Sequence, residues 1–118
     1  NPLACAAAAA NIAIWQDEPV IGRVGELAER QARHLEKLAQ KPRITNARRA
    51  GTIAAVEIED SHSGYLSDLG PKLLSRFRQS DVLLRPLGNT VYVMPPYCIS
   101  DEDLASIYDG IEDAVVNC

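Results

Sequence analysis

Residues 81–100, DVLLRPLGNTVYVMPPYCIS, contain a pattern that predicts two short strands joined by a tight turn. Residues 82–84 and 91–94 are apolar runs rich in β-favouring side chains, and Gly88-Asn89 between them is a turn dipeptide that accepts positive φ. Pro95-Pro96 ends the second run, because proline has no amide hydrogen to donate to a neighbouring strand.

Arg85 places one fixed positive charge inside this apolar hairpin, and Pro86 after it favours an extended backbone. Because a guanidinium buried without an anion is very costly, Arg85 needs either a partner or solvent. One interpretation is a structural carboxylate, or exposure at a sheet edge. The other is the carboxylate of a ligand, which the planar guanidinium can bind through two hydrogen bonds. The pattern alone leaves both open.

The rest of the chain predicts helices and strands in alternation. Asn1-Pro2 begins a helix that Pro19 ends, and we expect its alanine-rich surface to pack against another element. Further helices are predicted at residues 21–40, at 70–79 and after a capping serine at 100, with two strands at 43–60 around Gly51. This order predicts one α+β or α/β domain, with three to four mostly antiparallel strands and helices on one face.

The sequence also predicts the environment of its two histidines and the buried face of the second helix. The apolar face is predicted from helical spacing to comprise Ile21, Val24, Ala28, Leu35 and Leu38. His34 lies among charged neighbours, so we predict that it is solvated surface. His62 falls in a predicted loop with no second ligand at metal spacing, so no metal site is predicted.

Length and composition limit the function classes. A chain of 118 residues suits one domain. Its net charge of −4 and pI near 5.1 predict neither nucleic-acid nor membrane binding. The three widely spaced cysteines without C-x-x-C argue against a disulfide framework or zinc site and fit a reduced cytosol. Because the sequence starts at Asn-Pro rather than Met, we expect it to be an excised or incomplete piece of a longer protein.

Two strings resemble a known family: NPLACAA at residues 1–7 and RPLGNTVYVMPPY at residues 85–97. Both resemble the C-terminal part of class III pyridoxal-phosphate (PLP) aminotransferases. The first is shared across the class, whereas the second is narrower and resembles the biotin-synthesis branch. The resemblance implies the small C-terminal domain of the fold type I PLP-dependent transferases. Residues 1–18 would form the helix that links it to a missing large domain, and residues 20–118 the small domain itself.

The resemblance implies that cofactor chemistry lies outside this chain. In that family the Schiff-base lysine, the pyridinium aspartate and the phosphate-binding residues all lie upstream of Asn1. The only lysines here are Lys37, Lys41 and Lys72, and none is in a setting that would desolvate an amine. We therefore expect no catalytic, cofactor-binding or metal residue in this chain, which should be inactive alone. The full-length protein would be a cytoplasmic homodimer that carries PLP.

The resemblance assigns substrate binding to two residues. Arg85 would bind the substrate carboxylate and Tyr92 would line the active-site cleft, although Tyr92 could equally be a core residue with a bonded hydroxyl. The implied reaction moves an amino group from S-adenosylmethionine to 8-amino-7-oxononanoate, giving 7,8-diaminononanoate. One alternative is another class III aminotransferase acting on an ω-amine, ornithine or 4-aminobutyrate. Another is a non-catalytic, stand-alone binding domain.

Overall fold

An antiparallel sheet and helices make up residues 1–60 and 68–118, which are the residues that this computed structural model describes. The strands are β1 (Ile44–Ala50), β2 (Ile53–Ile58) and β3 (Thr90–Val93), in the order β1-β2-β3. The helices are α1 (Pro2–Asp17), α2 (Val20–Leu38), α3 (Leu69–Gln79) and α4 (Asp101–Asn117). The predicted fold class is confirmed. The predicted loop around His62 lies outside the described residues.

Gly51 makes the turn between the first two strands, as its position predicted. Ala50 pairs with Ile53 across a two-residue turn, and Gly51 has a φ of +57° that side chains with a Cβ rarely adopt. The register shifts between Thr45 and Arg48, which marks a bulge in β1. The two predicted strands around Gly51 are therefore confirmed.

The first strand of the predicted 81–100 hairpin does not form. Residues 82–86 belong to no strand, and only an isolated bridge between Leu87 and Thr90 flanks the Gly88-Asn89 turn. Pro86 has no amide hydrogen to donate. It therefore prevents the hydrogen bonds with which residues 82–86 would begin to pair with β3. Leu84 is nevertheless buried in the core. The apolar run therefore reflects packing against the core and not strand pairing.

The core lies between one face of the sheet and helices α2, α3 and α4. Alternate residues of β2 and β3 point into it, as the two-residue period of a strand requires. These sheet residues are Ala54, Val56, Ile58, Val91 and Val93. The helices contribute Leu27, Leu38, Leu73, Phe77, Leu104 and Ile111, all essentially fully buried. The strand residues between them, such as Tyr92, face the other side of the sheet.

The buried face of α2 differs from the predicted one. Ile21 is 74% exposed, and Val24 and Ala28 are only half-buried. The buried residues are instead Val20, Leu27, Gln31, Leu35 and Leu38. The buried face of α2 includes a glutamine. A prediction based on apolar residues alone therefore placed the buried face at the wrong angle around the helix axis. Gln31 is tolerated there because its amide is hydrogen-bonded.

His34 is not solvated surface as predicted. Its ring is half-buried and stacks on Tyr108 of α4, with the ring centroids 4.7 Å apart and the planes 14° from parallel. Burial, with smaller contributions from Lys37 and Arg33, lowers the pKa of His34 below 6.5, although Asp109 and Asp101 act in the opposite direction. The neighbouring charges in the sequence did not indicate this aromatic contact.

Helix α1 starts as predicted but does not pack as predicted. The Asn1 side chain accepts a hydrogen bond from the Leu3 amide at 3.1 Å, which caps the helix. No residue of α1 is buried among the described residues, and Trp15 makes an edge-to-face contact with Tyr97 at a centroid distance of 6.5 Å. Alanine side chains bury little area, so they cannot hold α1 against the domain unaided.

Helix α4 begins where the sequence predicted. The Ser100 hydroxyl accepts a hydrogen bond from the Asp103 amide at 3.0 Å, and three acidic residues occupy the first turn, where they favour the positive end of the helix dipole. In the described part of the chain, no helix combines the length and apolarity needed to cross a membrane.

Candidate functional site

A cavity of about 670 Å³ lies between α3 and residues 83–88. From α3 and the residue before it, Asp68, Gly70, Pro71, Leu74 and Arg78 line the cavity. The other wall consists of Leu83, Arg85, Pro86, Leu87 and Gly88. Positions 71, 74 and 78 are three and four residues apart, so they share one face of the helix. The cavity is therefore bounded by a regular helix on one side and a proline-restricted segment on the other.

The two walls meet at a pair of glycines. A Cβ placed on Gly70 would lie 3.1 Å from the carbonyl oxygen of Gly88, closer than most Cβ contacts. Gly88 itself has a φ of +61°. Both positions favour glycine, the first for close backbone approach and the second for backbone conformation. This contact sets the spacing between α3 and the segment that carries Arg85.

Arg85 is exposed at this cavity and makes no hydrogen bond or ion pair with any described residue. The structural carboxylate considered from the sequence is therefore not found within residues 1–60 and 68–118. The Arg85 guanidinium faces solvent and can bind an anion through two parallel hydrogen bonds. This placement is compatible with the predicted role of Arg85 in substrate binding.

The cavity carries more positive charge than the chain as a whole. Its charged lining residues are Asp68, Arg78 and Arg85, which sum to +1, whereas the whole chain has a formal net charge of −4. No ion pair joins these three side chains. Three leucines supply apolar lining, and two of them, Leu83 and Leu87, are 77% and 53% exposed. The arrangement suits a ligand that has an anionic end and an aliphatic chain.

Tyr92 lies apart from this cavity. It pairs with Ala55 on the sheet face opposite the core, is half-buried, and does not line the cavity. The core alternative for Tyr92 is therefore wrong, since its neighbours Val91 and Val93 are the residues that face the core. Its predicted position in the active-site cleft stays a prediction.

Arg78 is a lining residue that the sequence analysis missed. A charged residue at the end of a surface helix is common in proteins. Arg78 lines the same cavity as Arg85 only because residues 83–88 fold beside α3. The spacing of 71, 74 and 78 could have indicated a shared helix face. It could not have indicated what that face meets, because the other wall comes from a different segment.

The lysines of this chain do not fit PLP. Lys37 and Lys72 are exposed on helices, and the Lys41 ammonium pairs with the Glu112 carboxylate at 2.6 Å. A lysine that forms an internal aldimine needs a site that desolvates its amine, and none of these positions provides one.

In residues 1–60 and 68–118 no three His, Cys, Asp or Glu side chains lie close enough to hold a metal ion. All three cysteines are free thiols.

The fold and sequence together define a class of transferase. The profile of the family "Aminotransferase class-III" matches residues 1–115, and the chain belongs to that family. Among curated proteins it is similar to the adenosylmethionine-8-amino-7-oxononanoate aminotransferase of Synechococcus elongatus, with 40% identity over 96% of this chain and 26% of the relative. The Helicobacter pylori protein of the same name is 30% identical over 94% of this chain and 26% of the relative.

Solved structures show the same fold. The adenosylmethionine-8-amino-7-oxononanoate aminotransferase of Methanocaldococcus jannaschii superposes with a TM-score of 0.88 at 22% identity, covering 100% of this chain and 28% of that one. An omega-transferase from Vibrio fluvialis superposes with a TM-score of 0.83 at 25% identity, covering 98% of this chain and 28% of that one. The chain thus spans only 26% of the length of its first curated relatives.

Proposed function

We propose that this chain is the small C-terminal domain of an aminotransferase that transfers an amino group from S-adenosylmethionine to 8-amino-7-oxononanoate in biotin synthesis. The names of the relatives support the reaction, and the unpaired guanidinium of Arg85 beside an apolar wall supports the acceptor. That acceptor is a carboxylate at the end of an aliphatic chain, so its two chemical features match the two features of the cavity. Arg85 is the observation that carries the proposal.

In the proposed enzyme this chain binds and orients the acceptor. The Arg85 guanidinium donates two hydrogen bonds to the acceptor carboxylate, while Leu83 and Leu87 contact its methylene chain. Holding the far end of the substrate limits the positions that the reacting end can take, which lowers the entropic part of the barrier. PLP would be held by residues outside this chain, since the lysines described above do not fit it.

A second candidate is an aminotransferase with another amine substrate, such as an ω-amine, ornithine or 4-aminobutyrate. The similarity to the Vibrio fluvialis omega-transferase favours it. The two candidates differ in the amine that they use. Ornithine and 4-aminobutyrate carry a carboxylate that Arg85 could bind, so the role of Arg85 differs only for a simple ω-amine. A substrate without a carboxylate would leave that guanidinium without its anion.

The test compares acceptors and donors in the full-length protein. We expect amino transfer from S-adenosylmethionine to 8-amino-7-oxononanoate. We also expect Arg85→Ala to raise the KM for the acceptor about 10- to 100-fold, the size expected for hydrogen bonds to a charged group. Arg49→Ala is the matched control, since its guanidinium hydrogen-bonds the Gly51 carbonyl on the far hairpin. Turnover of ω-amines but not of S-adenosylmethionine would refute the proposal.

The assembly and location of the full-length protein are also proposed, as a cytoplasmic homodimer. The support from the structure is α1, which buries none of its side chains and exposes Leu3, Ile12 and Trp15 by 80%, 59% and 43%. Exposed apolar side chains clustered on one helix are typical of a surface that another part of the protein covers. Sedimentation equilibrium of the full-length protein should give twice the subunit mass, and a monomer mass would refute the dimer.

A further inference from the structure

We infer that Arg78 is a second anion-binding guanidinium of the cavity and that it favours substrates that carry a carboxylate. The inference rests on the proposed function, in which Arg85 binds that carboxylate. Arg78 lies in the last turn of α3, whereas Arg85 lies on the opposing segment. Two cations from two separate elements therefore line the same cavity.

The backbone around Arg78 holds it toward this cavity. Pro71, Leu74 and Arg78 all line the cavity and fall on one helical face. The Gly70–Gly88 contact, where a Cβ would meet the carbonyl oxygen at 3.1 Å, joins α3 to the segment of Arg85. Arg85 is restricted in turn by Pro86. The backbone positions that carry the two arginines are thus linked by the contact between α3 and the segment of Arg85.

Arg78 has no carboxylate partner, unlike four other arginines in the described part of the chain. Arg76, two positions earlier on the same helix, lies 3.9 Å from the Asp113 carboxylate of α4. Arg23 and Arg48 likewise pair with Glu18 and Glu57. Arg78 has no ion pair or hydrogen bond with any described residue, although Asp68 lines the same cavity. Two unpaired like charges in one cavity repel each other, and a bound anion relieves that repulsion.

The chemistry of the cavity points to a carboxylate on an aliphatic chain. A carboxylate has two oxygens and about four acceptor sites, so it can accept hydrogen bonds from both guanidinium groups at once. Leu74 on the helix and Leu83 on the opposing segment provide apolar surface for the chain. Because Arg78 is exposed, its effect should be modest and should depend on the charge of the ligand.

The experiment compares heptanoate with heptanamide as competitive inhibitors of amino transfer by the full-length protein. The two molecules share the alkyl chain and differ in charge. Arg78→Ala should raise the inhibition constant of heptanoate about 2- to 5-fold, the range expected for an exposed ion pair. The inhibition constant of heptanamide should be unaffected, and Arg78→Lys should restore most of the heptanoate affinity. Arg76→Ala is the matched control, because its guanidinium faces Asp113 instead of the cavity.

The acceptor itself supplies the second readout. Arg78→Ala should raise the KM for 8-amino-7-oxononanoate by the same factor as the heptanoate inhibition constant. If Arg85→Ala weakens binding of the carboxylate but Arg78→Ala does not, the inference about Arg78 is wrong and the proposed function stands. If neither variant distinguishes heptanoate from heptanamide, the proposed function fails as well. An equal loss for both inhibitors in Arg78→Ala would show a packing role and overturn the inference.

Discussion

Tyr108 on α4 donates its hydroxyl hydrogen bond to the Oε1 atom of Gln31 on α2, and both side chains are buried. The Nε2 atom of Gln31 donates in turn to the carbonyl oxygens of Thr52 at 2.9 Å and Val93 at 3.4 Å. One amide therefore connects two helices, the β1–β2 turn and the end of β3.

Gln31→Met should destabilise the protein. The substitution keeps the side-chain volume but leaves the Tyr108 hydroxyl and the Thr52 carbonyl without their partner. Unpaired buried groups cost about 1–3 kcal/mol, so we expect a loss of that size, measured as a shift of the urea midpoint of the full-length protein. Gln79→Met at the exposed end of α3 is the control and should change the free energy of unfolding by less than about 0.5 kcal/mol. Equal effects at both sites would contradict the buried network.

Tyr108→Phe should flatten the alkaline loss of stability. Burial raises the pKa of Tyr108 above its usual value of 10.0, so the folded state keeps a proton that the unfolded chain releases. The stabilisation is fully present below about pH 10 and is lost as the pH rises above that value. The variant lacks this ionisation and should lose stability less steeply between about pH 10 and 11. An unchanged slope in urea titrations over this range would refute the burial of the hydroxyl.

His34 should titrate below pH 6.5. Because burial lowers its folded pKa, the unfolded chain binds the proton more readily than the folded one. Stability should therefore be full above about pH 6.5 and fall as the pH drops through and below that value. NMR titration of the full-length protein, with the resonance assigned by its loss in His34→Gln, gives the midpoint directly. A midpoint at or above 6.5 would show that the stacking on Tyr108 does not shield the imidazole.

Two glycines should respond to alanine with opposite signs. Neither Gly51 nor Gly25 has an atom within 4 Å of an added Cβ, so space is equal at both. Gly51 has a φ of +57°, and Gly51→Ala should destabilise by about 1–2 kcal/mol, whereas Gly51→Asn should cost less. Gly25 lies within α2, and Gly25→Ala should stabilise by up to about 1 kcal/mol. Thermal midpoints that move in the same direction for both alanine variants would contradict this backbone interpretation.

Elements with local signals were predicted well. Asn1 and Ser100 cap their helices, and Gly51 makes the hairpin turn, because each depends on a few neighbouring residues. The first strand at 82–84 was predicted wrongly. Its apolar residues are typical of a strand. A strand also requires a neighbouring strand with free backbone groups, and residues 82–86 have no such neighbour.

The sequence by itself determined the class III aminotransferase family, the capped helix starts, the turn at Gly51, and Arg85 as a candidate anion-binding residue, since these follow from local residue patterns. Only the tertiary structure decided that Gln31 is buried, that His34 stacks on Tyr108 and that Arg78 lies beside Arg85. Each of these facts joins residues distant in the chain. Burial and electrostatic environment depend on such contacts, and a one-dimensional pattern does not contain them.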